Sequence, residues 1–256
     1  MAAGEVIVIP CLSDNYTYLV RCHRSEMTAI IDPGEAAPVI KELQDRDWQL
    51  DLVINTHHHH DHIGGNAELM KKYGAKLLGP TAEKARIPDM DETVAEGDQV
   101  LIGELEGRVF DVPGHTSGHI AFYFPAITAL FSGDSLFALG CGRLFEGTPE
   151  QMWQSLQKFR NLPNSTQVYC GHEYTQSNAK FAKTIEPDNA ILAARCQDID
   201  GLRARNIPTI PSRIDVELAT NPFLRADHPD VATALGMENA TPTEIFTEIR
   251  KRKDNF

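Results

Sequence analysis

The sequence predicts an α/β (α+β) fold over its first 172 residues with a helical appendage behind it, and three observations carry that reading. Short apolar strand patterns alternate with helical patterns along the first part of the chain. Four of those strand patterns end in residues that ligate metals. Strand alternation then stops after residue 172, and only helical patterns follow.

Taken in order, residues 5–9, 16–21 and 27–31 read as three short strands of a meander, broken by Ser13-Asp14-Asn15 and Arg24-Ser25. The third stops at Asp32-Pro33-Gly34. Its carboxylate has two readings that stay open: orienting a ligand histidine from behind, or capping a turn before proline. Residues 38–45 form a helical pattern with Val39, Ile40 and Leu43 on one face, and residues 50–55 a strand. A helix over 67–72 and a strand over 75–78 come next. Residues 84–97 are polar, contain Pro88 and carry no period, so a surface loop is expected. Strand character resumes at 99–101, 108–112, 120–124 and 129–131. Thr148-Pro149-Glu150-Gln151 is a helix start with a capping box and a first-turn proline, and Met152, Leu156 and Phe159 give that helix an apolar side. Beyond residue 172, helices are expected over 174–185 and 190–204, a Pro-rich connection without strands over 207–222, and a final helix capped at Thr241 and running to about residue 253. The expected division is a metal-binding catalytic domain over 1–172 and a helical domain over 173–256.

The chemistry concentrates in Thr56-His57-His58-His59-His60-Asp61-His62-Ile63-Gly64-Gly65-Asn66. So many titratable groups directly after an apolar strand have no packing role, and a histidine tag or solvated His-rich loop would not sit between a strand and a Gly-Gly helix entry. If the strand runs out extended, His57, His59 and Asp61 can face one point while His58 and His60 face away. His62 breaks that alternation. A chain turning into a helix there swings Asp61 and His62 toward a second point, which suggests two metals. Imidazole and carboxylate together suit zinc, iron or manganese.

The other strand ends add to the set. Val112-Pro113-Gly114-His115-Thr116-Ser117-Gly118-His119 offers His115 as a third imidazole, with His119 left as a supporting or structural residue. Phe131-Ser132-Gly133-Asp134 ends in a carboxylate able to bridge two cations, and Val168-Tyr169-Cys170-Gly171-His172 ends in another imidazole. Cys141 is read as a pocket-wall residue, since Asp134 already supplies the bridge.

Composition bounds the partners. A formal charge of -12 opposes a general nucleic-acid binder and a nuclease, so a small-molecule substrate is expected. Five cysteines, an odd number without a C-x-x-C pair, argue against a disulfide framework and for a reducing compartment. No stretch approaches the roughly 20 apolar residues of a membrane span, and the start carries no basic and apolar leader pattern. A cytoplasmic monomer without membrane attachment is the expectation.

The ligand order H-x-H-x-D-H, then His115, Asp134 and His172, resembles the metallo-β-lactamase superfamily, whose fold is a four-layer αβ/βα sandwich with metals at one edge of two packed sheets. More closely, THHHHDHIGGN, PGHTSGH, GCGRLFEGT, VYCGHEY and the terminal RKRKDNF are similar to the motifs of the glyoxalase II (hydroxyacylglutathione hydrolase) family, and together they cover nearly the whole chain. The resemblance implies hydrolysis of S-D-lactoylglutathione to glutathione and D-lactate, in methylglyoxal detoxification. It implies two divalent metal ions per chain, zinc ahead of iron or manganese, with His57, His59 and His115 on one, Asp61, His62 and His172 on the other, and Asp134 shared. Two cations lower the pKa of a water between them, and the resulting hydroxide attacks the thioester carbonyl. In that scheme Asp61, His62 and Asp134 carry the catalytic metal chemistry. The family's glutathione positions fall on Arg143, Tyr174, Arg250 and Lys253, and Phe145 stands where some members have a tyrosine. On residues alone, the basic run at 250–253 is a solvated last helical turn favoured by the macrodipole. The rivals are a glutathione persulfide dioxygenase with a single iron, a β-lactamase or lactonase without the helical tail, and a non-enzymatic module, which would be expected to have lost a ligand.

Overall fold

The structure, a computed structural model, describes residues 3–256; the part of the leader reading that rests on Met1 and Ala2 lies outside them. The chain divides into two compact units, one made of residues up to Asp111 together with Gly118–Gly133, the other of Val112–Ser117 and Asp134–Phe256.

The first unit holds two facing sheets. Strands β1 (Gly4–Cys11), β2 (Asn15–Cys22), β3 (Thr28–Ile31), β4 (Leu52–Ile54), β5 (Lys76–Pro80) and β6 (Glu92–Val94) lie side by side in chain order. The first three are antiparallel, as the meander pattern predicts, and β3 to β6 run parallel. Parallel strands need crossovers, and α1 (Ala37–Arg46) and α3 (Asn66–Tyr73) supply two of them. Val39 and Leu43 of α1 and Leu69 of α3 pack with Leu19, Ile30, Val53 and Leu77 from the sheet. Each such side chain contributes about 1.5–3 kcal/mol on burial, so this face anchors the strand ends that matter for the site. Strands β7 (Gln99–Ile102), β8 (Leu105–Asp111), β9 (Ile120–Phe124) and β10 (Ala129–Gly133) form an antiparallel run. Tyr18 of β2 meets Phe131 of β10 at 5.5 Å between ring centroids, closing the sandwich from inside.

Strand β6 corrects the expectation of a patternless loop over 84–97. It has three residues, too few for a period, and its pairing with β5 is supported by Asp91, whose carboxylate accepts from the Leu77 amide at 2.8 Å. A four-residue helix, α2 (His60–Ile63), was likewise not separately expected. The loop after β3 packs tightly on it: a Cβ on Gly34 would lie 2.3 Å from the Asp61 carbonyl oxygen, so only glycine permits the approach.

The second unit carries a small hairpin, β11 (Leu136–Phe137) with β12 (Gly140–Cys141), then α4 (Pro149–Arg160), β13 (Gln167–Cys170), α5 (Thr175–Ile185), α6 (Ala190–Arg203), β14 (Ser212–Arg213), α7 (Ile214–Thr220), α8 (Pro229–Leu235) and α9 (Pro242–Asp254). Both predicted N-termini form: Thr148 with Gln151 and Thr241 with Glu244 make reciprocal capping boxes. Helix α9 packs Phe246 on Trp153 of α4 at 6.0 Å. The connection expected over 207–222 instead contains β14, which pairs with β13, and α7. Glu217 of α7 is the reason. It is fully buried, and its carboxylate accepts from Arg195, Ser212, Asn221 and the Leu139 amide, a set of partners assembled from distant sequence.

The class is α+β, an αβ/βα sandwich with a C-terminal helical region. No helix among the described residues is long and apolar enough to cross a membrane.

Candidate metal centre

In the first unit, strand β4 ends at Ile54 and delivers His57, which is fully buried. The chain stays extended through His59 (φ −60°, ψ 142°) and then enters α2. The alternation therefore holds for three residues: the rings of His57 and His59 lie 4.7 Å apart, while His58 turns aside to a buried carboxylate, Glu83, at 2.6 Å. From His60 onward helical geometry replaces it. Asp61 thus leaves the His57–His59 row, and its carboxylate stands 3.5 Å from Nε2 of His62, the ring of which is 4.2 Å from that of His57. Asn15, the first residue of β2, holds Asp61 by donating to its Oδ2 at 2.9 Å and to its backbone oxygen at 3.2 Å.

Asp32 decides which ring nitrogens are left to act as acceptors or ligands. Its buried carboxylate accepts from the Thr56 amide at 2.8 Å and the Thr56 hydroxyl at 2.6 Å, and faces Nδ1 of His62 at 3.1 Å. Because the Thr56 hydroxyl donates to Asp32, its oxygen accepts from Nδ1 of His57 at 3.0 Å. Both imidazoles are thereby protonated on Nδ1 and turn an Nε2 lone pair outward, the arrangement that metal-binding histidines use. Asp32, His57 and His62 have ligand-type atoms within 4.8 Å of one another, yet the Asp32 oxygens serve the Nδ1 side, so Asp32 orients rather than ligates. Its φ of +50°, uncommon for an aspartate, is held by these bonds. His119, also fully buried, stacks on His57 at 4.6 Å with 22° between planes and so buttresses it.

The second unit builds a matching set. Nδ1 of His115 lies 2.8 Å from the Arg143 carbonyl, so it donates and Nε2 again carries the lone pair. Asp134 directs Oδ2 at Nε2 of His115 and at Nε2 of His172, 3.3 Å from each. Two imidazole nitrogens converging on one carboxylate oxygen, all three residues about 95 % buried, suit a carboxylate shared by cations better than a protonated pair. Gly142 makes room: a Cβ there would come 1.9 Å from the Asp134 carbonyl oxygen. The donor chemistry of both sets, imidazole nitrogens with carboxylate oxygens, fits divalent transition cations.

Around the second set lie the other predicted residues. Tyr174 stacks flat on His172, 4.6 Å away at 3° between planes, and Phe145, 60 % exposed, sets an edge 5.2 Å from the His115 ring. The Arg143 side chain is exposed. Arg250 is buried, donates to the Cys141 carbonyl at 3.0 Å and pairs with Asp254 at 2.7 Å. Lys253 lies 5.2 Å from the rings of both Phe181 and Phe256; burial and then Arg250 hold its pKa below the usual lysine value, with Asp254 opposing them. Cys141 is buried beside Arg250, and burial pushes its thiol up to about 11 against the pull of that guanidinium. None of the five cysteines is joined in a disulfide.

The sequence reading missed Asn15, Thr56 and Glu83 as supports of the cluster. Thr56, adjoining the first histidine, was the one with a visible signal, a hydroxyl able to relay a hydrogen bond.

Comparison with known proteins agrees with this chemistry. Residues 13–172 match the metallo-beta-lactamase superfamily and residues 173–256 match the hydroxyacylglutathione hydrolase C-terminus. The hydroxyacylglutathione hydrolase of Jannaschia sp. (strain CCS1) is 54% identical over 256 residues, 100% of both chains. That of Methylococcus capsulatus is 50% identical over 252 residues, 98% of both. Among solved structures, the BLEG-1 B3 metallo-beta-lactamase superposes with a TM-score of 0.67 at 22% identity, covering 86% of this chain and 99% of that one, a likeness of fold. With half of its residues shared from end to end with such relatives, the chain belongs to the hydroxyacylglutathione hydrolase family of the metallo-β-lactamase superfamily.

Proposed function

We propose that this protein hydrolyses S-D-lactoylglutathione to glutathione and D-lactate, as a thioester hydrolase of methylglyoxal detoxification. One observation carries the reading beyond family membership: the second unit ties metal-type ligands directly to residues suited to glutathione. The Arg143 carbonyl orients His115 while its guanidinium reaches solvent, and Tyr174 lies flat on His172.

On this reading His57, His59 and His115 would hold one divalent cation and Asp61, His62 and His172 a second, with Asp134 shared, and zinc ahead of iron or manganese. Such a pair supplies an acidified water and a Lewis acid for the thioester carbonyl. The protein's own part is positioning. Asp32 and Thr56 set the tautomers of His57 and His62, and the Arg143 carbonyl sets that of His115. Arg143, Arg250 and Lys253 supply positive charge for an anionic tripeptide, and Tyr174 offers a hydroxyl and a ring face. The thiolate leaves readily, so no strong protein acid is required. The proposed division is a catalytic domain over 1–172, to which Arg143 belongs, and a glutathione-binding domain over 173–256. A cytoplasmic monomer acting on a free small molecule completes the proposal.

Relatives about 50% identical over their full length favour hydrolysis over a single-iron persulfide dioxygenase. The test is loss of thioester absorbance with S-D-lactoylglutathione on protein of known metal content, beside His115→Ala. Activity that accompanies about two metals per chain and collapses in the variant is expected. One iron per chain, no thioesterase activity and oxygen uptake with glutathione persulfide would overturn the reading.

A further inference from the structure

The last residue of α9, Asp254, is electrostatically misplaced. A carboxylate in the last turn faces the negative end of the helix dipole, where a cation is favoured. Its Oδ1 accepts from Nη2 of Arg250 at 2.7 Å and from Nε at 3.0 Å, and stands 3.7 Å from Nε of Arg143.

Arg250 does not depend on it for anchorage. Nη1 of that guanidinium donates to the Cys141 carbonyl at 3.0 Å, and its Cζ lies 5.1 Å from the centre of the Phe223 ring. What Asp254 covers is the Nε and Nη2 edge, the fork with which arginine grips a carboxylate. Its side chain is 37 % exposed and that of Arg143 61 %, whereas that of Arg250 is 7 %. The resident carboxylate therefore sits between a buried cation and a solvent-facing one, with Lys253 on the same helical turn.

We infer that Asp254 is an internal competitor for the carboxylate of the glutathione moiety, an affinity-setting residue that keeps the Arg143, Arg250 and Lys253 cluster partly neutralised. This rests on the proposed glutathione role of those three residues. An incoming carboxylate shares or displaces the Asp254 contact, and the same contact reforms as product leaves. The resident charge thus trades affinity for release.

The test is Asp254→Asn in the metal-loaded enzyme, titrated with S-methylglutathione, which cannot be hydrolysed and offers no thiol to a metal. Removing one negative charge from this half-exposed cluster is expected to tighten binding about three- to tenfold at low salt, with a gain that shrinks as ionic strength rises and a matching fall in KM. Asp254→Glu keeps the charge and is expected to bind within about twofold of the native protein. Unchanged or weaker binding in an Asp254→Asn protein with a native thermal midpoint would overturn the inference. Arg143→Gln separates the two layers. If it weakens binding while Asp254→Asn does not tighten it, only the role of Asp254 falls; if the native protein and Arg143→Gln bind equally, or neither binds, the glutathione reading falls with it.

Discussion

The Asp32 carboxylate lies 3.1 Å from Nδ1 of His62, a residue thirty positions further along the chain, and both are buried. Through the Thr56 hydroxyl the same carboxylate also governs His57. Asp32→Asn removes the charge that polarises both imidazoles while preserving size. Metal affinity is expected to fall about 10- to 100-fold, measured by chelator competition on zinc-loaded protein, with the far-ultraviolet circular dichroism unchanged. Native affinity in that variant would mean that Asp32 only shapes the turn.

Gly142 is a second structural lever. The 1.9 Å approach of a Cβ to the Asp134 carbonyl oxygen is to backbone, which has no side-chain rotamer to yield. Gly142→Ala is expected to displace Asp134, to cost about 1–3 kcal/mol by denaturant titration, and to lower metal content and thioesterase activity together. An alanine variant with native stability and full metal occupancy would be inconsistent with this packing.

Tyr174 has two separable parts. Tyr174→Phe keeps the ring on His172 and removes the hydroxyl, so a rise in KM with native metal content is expected. Tyr174→Ala removes the stack as well, worth about 0.5–1.5 kcal/mol, and should also weaken metal retention during dialysis against chelator. Equal metal loss in both variants would contradict a role for the ring face.

Cys141 predicts an alkaline weakness. Burial holds its thiol at about 11 in the folded chain against 9.0 when unfolded, so the unfolded state sheds its proton first. Stability contributed by the protonated thiol is complete below pH 9 and is lost as pH rises toward 11. The unfolding free energy should decline over that window by up to about 1.4 kcal/mol per pH unit for this one group, measured by denaturant titration, and Cys141→Ala should flatten the decline whatever its stability at pH 7. An identical slope in the variant would assign the alkaline loss elsewhere.

Much of this molecule is local enough to be read from the chain. The alternation that turns His57 and His59 together and His58 away is a property of extended backbone, and the capping boxes at Thr148 and Thr241 lie within four residues of sequence. The early meander and the ligand-bearing strand ends follow from runs of apolar residues stopped by turn formers. Asp32 was legible only as two alternatives, since nothing local distinguishes a turn cap from a partner to a histidine thirty residues away.

What tertiary structure alone decided are the features whose partners are distant in sequence. Strand β6 exists because β5 offers an edge, and α7 because Glu217 finds Arg195 and the Leu139 amide. Asp61 joins His62 rather than the His57 row because α2 begins at His60, where the loop after β3 packs against it through Gly34. Arg250 reads in sequence as one cation in a solvated basic turn; in the fold it is buried and donates to the Cys141 carbonyl, more than a hundred residues away, because a buried charge without a partner is costly. Residue types and local backbone geometry thus determined which chemistry this chain carries, while the need to pair every buried polar group determined which nitrogen, which oxygen and which charge are presented.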